Sequence, residues 1–162
     1  MDVFDFSIQM EHDAESLYRN LASRTDHPGI KRVFNMLADD EVRHAAALEI
    51  LKKKMSPSLD KGNIGEIKTV FSELKERVEE EMISRELLTE LRRALEIEEK
   101  GRKYYKEKMA GLDTEDGKKL FQLLSRQEDY HYMTVDNLIE LIERPQWWVE
   151  NAEFNPGTDN YY

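Results

Sequence analysis

The sequence predicts an all-α fold, a four-helix bundle with one long crossover connection that contains a short helix. Three observations support this prediction: the residue usage, four long segments of helical periodicity, and the unequal lengths of the connections between them. Charged residues make up 36% of the 162 residues, and only seven Gly and four Pro interrupt the chain. A chain of this length and composition can form one helical domain with one sizeable core.

Apolar residues recur at helical spacing in four segments: roughly residues 3–23, roughly 29–54, a third segment that ends near Met109, and roughly 116–143. The loop between the first two segments is short. It contains Asp26, a plausible N-cap, and Pro28 near the start of the second helix. Arg144 and Pro145 end the fourth segment. We therefore expect two helical hairpins.

A weaker apolar stripe predicts a helix inside the connection between the hairpins. Its members are Ile64, Ile67, Phe71, Leu74 and Val78. Ser84 is a plausible cap for the helix that follows. Helices of ~22–26 residues are ~33–39 Å long, and about 30 residues that include a helix can travel that distance.

The predicted domain organisation is one bundle followed by a tail. Residues 1–144 form the bundle, with repeats at 3–54 and 90–143 and the crossover at 55–86. Residues 145–162 form an aromatic C-terminal tail, which we expect to pack on the bundle through Trp147, Trp148 and Phe154.

Each apolar stripe is interrupted near its middle by an ionisable residue. The four carboxylates, one for each long segment, are Glu11, Glu41, Glu98 and Glu128. In the second and fourth segments a histidine follows three residues later, at His44 and His131. Residues three apart lie on one helix face, so both histidines point toward the bundle axis with their glutamates.

The two halves of the chain repeat each other at an offset of 87 residues. Eight positions in the first half have the identical residue at that offset in the second: Glu11, Tyr18, Asp26, Lys31, Phe34, Leu37, Glu41 and His44. Two copies of one hairpin would therefore supply a site with approximate two-fold symmetry.

Four carboxylates in a bundle core would repel one another and lose their hydration. They either take up protons or bind cations. Oxygen ligands with imidazole suit Fe, Mn or Zn, and the chain has no Cys to supply thiolate. Four carboxylates balance two divalent ions, so we predict two metals, although a buried polar network without metal remains an alternative.

Four motifs in this chain, "QMEHDAESLY", "DDEVRHA", "EIEEKGRKYY" and "RQEDYHY", resemble the ferritin-like di-iron carboxylate superfamily. The resemblance covers about residues 3–143 and is closest to the rubrerythrin group. It implies two Fe ions that react with dioxygen or peroxide at the four glutamates. By this resemblance Glu41 and Glu128 bridge the irons, and the further ligands are Glu11 with His44 and Glu98 with His131.

The chain departs from rubrerythrins in two respects. They usually carry a rubredoxin-like Cys₄ domain as electron donor, whereas this chain has no Cys. Because the chain has no Cys, we expect a separate electron-donor protein. Rubrerythrins also usually have an additional Glu, which shifts coordination with redox state, at the position of Gly101.

Several neighbours of the predicted ligands could support the site. Tyr18 and Tyr105 follow Glu11 and Glu98 by seven residues, and their hydroxyls could reach back to orient a ligand, or else simply fill the core. Asp40 could hydrogen-bond a ligand histidine across the bundle, although the sequence does not favour this. Glu15 is better interpreted as a residue of the rim or surface.

The functional prediction is a non-haem di-iron oxidoreductase that reduces peroxide or dioxygen with electrons from an external donor. A ferroxidase or iron-handling protein is the alternative, and a scaffold held closed by structural metal is a third possibility. A net charge of −10 argues against nucleic acid or an anionic membrane as partner. We expect a cytoplasmic protein, since the acidic N-terminal segment is unlike a signal peptide and no segment resembles a membrane span. We also expect a homodimer.

Overall fold

The computed structural model describes residues 2–54, 59, 62–63, 65–67, 69–71 and 85–145. It contains four long helices: α1, Val3–Arg24; α2, Pro28–Lys52; α3, Arg85–Met109; and α4, Glu115–Glu143. The described residues contain no strand. The predicted all-α bundle is therefore confirmed. Helices α1, α2 and α4 begin and end within two residues of their predicted positions, and α3 ends at the predicted Met109.

Short polar side chains begin two of the helices. At the start of α1, Asp2 accepts hydrogen bonds from the N–H groups of Phe4 (2.9 Å) and Asp5 (2.8 Å). At the start of α4, Thr114 accepts one from the Gly117 N–H at 3.1 Å. These bonds satisfy donors that have no partner within the helix, so both ends form where the sequence indicates.

The N-cap of α2 is His27, and the prediction of Asp26 was wrong. The Nδ1 atom of His27 accepts a hydrogen bond from the Ile30 N–H at 3.4 Å. Pro28 occupies the first helical position, which its fixed φ angle suits. The residue directly before Pro28 is therefore the cap, whatever its intrinsic preference for that position.

The helices pack as two hairpins, α1 against α2 and α3 against α4. Two apolar clusters fill the bundle, one toward each end. The first contains Tyr18, Phe34, Leu91 and Leu138, among others. The second is built around Leu48, Tyr105, Phe121 and Leu124. The predicted ligand residues belong to neither cluster and form a polar layer between them.

Part of the crossover packs on the first apolar cluster. Residues 65–67 and 69–71 are helical. Ile67, Val70 and Phe71 are at most 2% exposed and join the core near Tyr18 and Leu91. Ile64, Leu74, Val78 and Ser84 lie outside the described residues, as do Trp147, Trp148 and Phe154 of the tail.

Among the helices of the described part of the chain, none is both long enough and apolar enough to cross a bilayer.

Candidate metal centre

The structure brings all six predicted ligand residues together at the middle of the bundle. All are buried, with at most 4% of the residue exposed: Glu11, Glu41, His44, Glu98, Glu128 and His131. Helices α1 and α3 each contribute one glutamate, and α2 and α4 each contribute a glutamate with a histidine one turn later. The apolar clusters above and below separate this layer from bulk water.

The six side chains form two overlapping groups, each compact enough to hold a metal ion. Within each group every residue offers one ligand atom, and these atoms lie within 4.8 Å of one another. The first group is Glu11, Glu41, His44 and Glu128, and the second is Glu41, Glu98, Glu128 and His131. Glu41 and Glu128 stand in both groups, which is the arrangement that a pair of bridging carboxylates requires.

Each histidine turns its Nδ1 atom toward the carboxylates. His44 Nδ1 lies 3.2 Å from Glu11 Oε2, 3.0 Å from Glu41 Oε2 and 3.2 Å from Glu128 Oε1. His131 Nδ1 lies 3.1 Å from Glu41 Oε1 and 3.7 Å from Glu98 Oε2. The Nδ1 atoms are therefore the ligand atoms that face the centre.

Several of these buried atoms form no hydrogen bond of acceptable geometry among the described residues, although histidine nitrogens and carboxylate oxygens lie 3.0–3.7 Å apart. They are both carboxylate oxygens of Glu41, Oε2 of Glu98, Oε1 of Glu128 and Nδ1 of His131. Buried polar atoms are normally paired, because an unpaired one costs about 1–3 kcal/mol. The unpaired atoms belong to the two overlapping groups, so a cation would fit this donor set.

Burial and neighbouring charges shift the pKa values of the four glutamates. Burial, followed by the charge of neighbouring carboxylates, raises the pKa of Glu98 and of Glu128. Burial also raises the pKa of Glu41 to about 7, although His131 opposes this shift. Burial acts on Glu11 in the same direction, but its contacts with His44, Glu41 and Tyr105 together outweigh burial and lower its pKa.

The histidines show the complementary effect. Burial alone would lower their pKa values, but the surrounding carboxylates raise the pKa of His131 to about 9 and raise that of His44 as well. Without metal, protons shared between carboxylates and imidazoles therefore offset the negative charge. Metal ions would replace those protons, since ligands bind in their deprotonated forms.

Two tyrosines cross between the halves of the bundle and hold the outer glutamates. Tyr18 of α1 donates a hydrogen bond to Oε1 of Glu98 on α3, and Tyr105 of α3 donates one to Oε1 of Glu11 on α1. Both hydroxyls reach the carboxylate layer, as the seven-residue spacing between each tyrosine and the glutamate of its own helix allows. Each contacts the glutamate of the opposite half, and the Oε2 atoms remain directed toward the histidines.

The outer nitrogen of each histidine also has a partner. His131 Nε2 lies 3.3 Å from Oδ2 of Asp40, so the contact that the sequence did not favour is present. His44 Nε2 contacts the amide oxygen of Gln127. Gln127 was missed in the sequence analysis, although it lies 87 residues after Asp40 and the internal repeat could have identified it.

Two further residues define the edges of the site. Glu15 is half-buried and contacts Arg19 and His12, and it belongs to neither ligand group of the described residues.

Gly101 faces the site: a Cβ atom there would lie 3.3 Å from Oε2 of Glu128. The absence of a side chain at Gly101 therefore leaves room for the carboxylate of Glu128.

A helical bundle that buries one carboxylate from each of four helices, with a histidine one turn later on two of them, has the arrangement of the ferritin-like di-iron carboxylate class. The family model described as Rubrerythrin matches residues 2–90, and the chain belongs to the rubrerythrin family. The match includes Glu11, Glu41 and His44, whereas the ligands of α3 and α4 lie beyond it. Comparisons with curated proteins and with solved structures gave no significant match.

Proposed function

We propose that this protein is a non-haem di-iron oxidoreductase that reduces peroxide or dioxygen. The observation that carries the proposal is the pair of overlapping ligand groups that share Glu41 and Glu128. Two cations held by common carboxylates can act on one small oxidant together, which a single cation cannot do. The six predicted ligands stay a prediction until metal has been measured.

Charge and donor chemistry support two iron ions. The four glutamates carry four negative charges when ionised, and two divalent ions balance them within a buried site. Carboxylate and imidazole donors suit Fe, and Mn or Zn would accept the same ligands. When bound, iron would supply the one-electron redox chemistry that side chains lack.

The chain's own residues position the ligands and exclude water. Tyr18 and Tyr105 each occupy one carboxylate oxygen of Glu98 and Glu11, and this leaves the other oxygen for metal. Phe121 and Leu124 close the layer from one end of the bundle. A dry, preorganised site strengthens interactions with developing charge and limits side reactions.

The electrons would come from a separate protein. The chain has no Cys from which to build an iron–sulfur donor. The chain has 34 acidic and 24 basic residues, which gives a net charge of −10, so a donor with a basic contact surface is the expected partner.

The primary test is metal quantitation on protein expressed in iron-supplemented medium, followed by rapid mixing of the anaerobic Fe(II) protein with peroxide and with dioxygen. We expect about two Fe per chain and oxidation of the iron by at least one oxidant. Oxidation by neither would leave only a structural role for the metal.

Single histidine variants test the ligand assignment. His44→Ala and His131→Ala each remove one ligand from one group, so each should bind about one metal fewer than the wild type. The approximate symmetry predicts that the two variants lose a comparable number of metal ions per chain. A full metal complement in both variants would refute the assignment.

A ferroxidase or iron-handling protein is the second candidate, and Gly101 favours it. The family's additional glutamate would stand at this position, and the space is instead occupied by Glu128. Size-exclusion chromatography separates the candidates, because iron storage needs a hollow shell of ~20 or more subunits, whereas we expect the oxidoreductase to elute as a homodimer.

A further inference from the structure

The two ligand histidines have chemically different partners at their outer nitrogens. His131 Nε2 contacts Oδ2 of Asp40 at 3.3 Å, and His44 Nε2 contacts Oε1 of Gln127. Asp40 and Gln127 occupy equivalent positions of the repeat, 87 residues apart. The repeat therefore keeps the ligands identical and changes the residue behind each histidine, from a carboxylate to a neutral amide.

The carboxylate of Asp40 is held in place from its other side. Its Oδ1 atom accepts a hydrogen bond from the Asn63 N–H at 3.0 Å and contacts the guanidinium of Arg43. Gly62 has a φ angle of 59°, and a Cβ atom there would lie only 2.5 Å from Asp40 Oδ1. The crossover thus encloses Oδ1 and leaves Oδ2 directed at His131.

Both partners act from within the core. Asp40 is 2% exposed and Gln127 is 5% exposed, so water screens neither contact strongly. A ligand histidine that donates its outer N–H to a carboxylate is a stronger electron donor to metal than one that donates to an amide. Changes to such partners typically alter metal affinity by 10–100-fold.

We infer that the two metal positions are inequivalent, and that Asp40 makes the His131 position the tighter and more electron-rich of the two. The His44 position, backed by Gln127, binds metal more weakly and loses it first. Asp40 and Gln127 are positioning residues, since each acts through a histidine. This inference rests on the proposed metal site and adds an order of filling and release to it.

The test isolates each position and then changes its partner. His44→Ala leaves the second ligand group complete, and His131→Ala leaves the first complete. Asp40→Asn and Gln127→Glu are introduced into each background. Metal-free protein is titrated with Co(II), whose visible absorption reports coordination, and circular dichroism checks the fold of every variant. No measurement of catalytic activity is needed.

We expect the His44→Ala protein to bind Co(II) more tightly than the His131→Ala protein. Asp40→Asn should weaken binding by about 10–100-fold in the His44→Ala background and by less than about threefold in the other. Gln127→Glu should tighten binding by a similar factor in the His131→Ala background alone. Should Asp40→Asn fail to fold, Gln127→Glu decides the question by itself.

Two results would overturn the inference. Equal effects of Asp40→Asn in both backgrounds would mean that its charge acts on the site as a whole, and no effect of either substitution would mean that the outer partners do not control affinity. Failure of the wild-type protein to bind Co(II) would instead refute the proposed metal site, so the two failures are distinguishable.

Discussion

Tyr18 and Tyr105 show how single residues couple the two halves of the site. Each spans the bundle and donates to a glutamate that lies 80 or more residues away in sequence. Each is at most 1% exposed, so its hydroxyl has no competing access to water. The hydrogen bonds therefore fix which oxygen of each carboxylate is available to metal.

Removal of either hydroxyl should weaken metal binding. Tyr18→Phe and Tyr105→Phe leave Oε1 of Glu98 or Glu11 without its donor, and we expect a 10–100-fold loss of Co(II) affinity at the corresponding position. Tyr104→Phe is the matched control, because the Tyr104 hydroxyl donates to the Val3 carbonyl oxygen at 3.3 Å and lies beside Ser7, and neither residue belongs to a ligand group. Equal affinities for all three variants would contradict this prediction.

Gly101 permits close packing of Glu128 against α3. In Gly101→Ala the new Cβ atom would lie 3.3 Å from Glu128 Oε2, so the carboxylate must shift by a few tenths of an ångström. We expect lower metal affinity, although Ala favours the helix by about 1 kcal/mol over Gly. Isothermal titration calorimetry measures the affinity.

Gly65→Ala is the control for that substitution, because nothing lies within 4 Å of a Cβ atom at residue 65. It should leave metal affinity unchanged. A normal affinity in Gly101→Ala would show that Glu128 can move freely.

At the scale of the elements, periodicity predicted the helices well because each long helix buries one face. Residues at helical spacing in α2, including Phe34, Leu37, Leu48 and Leu51, are all buried together with Glu41 and His44. The polar interruptions could be identified because they occupy positions that burial would otherwise reserve for apolar side chains. The start of α2 was less predictable, since Pro28 outweighed the preference of Asp26 for the N-cap.

The apolar face of the crossover should contribute to stability independently of the metal site. Ile67 is 0% exposed and packs in the first apolar cluster. Ile67→Ala should lower the free energy of unfolding by about 2–5 kcal/mol, as buried large-to-small substitutions do. Metal stoichiometry should not change in protein that remains folded. Urea denaturation measures the loss.

Glu66→Ala is the surface control for the crossover, because Glu66 is exposed and its contact with Arg32 is a 3.8 Å surface ion pair. Its effect should stay below about 1 kcal/mol. Equal destabilisation by both substitutions would contradict packing of Ile67 against the bundle.

At the scale of the whole molecule, stability, protons and metal are linked. Glu41 has a pKa of about 7 against an ordinary 4.5, and His131 has a pKa of about 9 against 6.5. Both values are raised, so the folded metal-free protein holds protons that the unfolded chain has released. Its stability must therefore fall as the pH rises through these values.

We predict that the melting temperature of the metal-free protein falls as the pH is raised from about 4.5 to about 9. Glu41 contributes to the fall between its ordinary pKa of 4.5 and its folded pKa of about 7, and His131 contributes between 6.5 and about 9. In Glu41→Gln the fall below pH 7 should be reduced. Differential scanning calorimetry of metal-free protein measures the profile.

Zn(II)-loaded protein is the control for the pH profile, because metal occupies the ligand atoms in their deprotonated forms. Its melting temperature should change much less over the same range. A melting temperature that rises with pH in the metal-free protein would refute the protonation of these buried groups.

The sequence by itself determined the helices, their buried faces, the internal repeat and the residues that converge at the centre. These depend on spacings within one helix, and a helix fixes which residues share a face. Tertiary structure alone decided which groups meet across the bundle: Tyr18 with Glu98, Asp40 with His131 and Gln127 with His44. Such contacts depend on the rotation and height of one helix against another, which packing of the complete core sets.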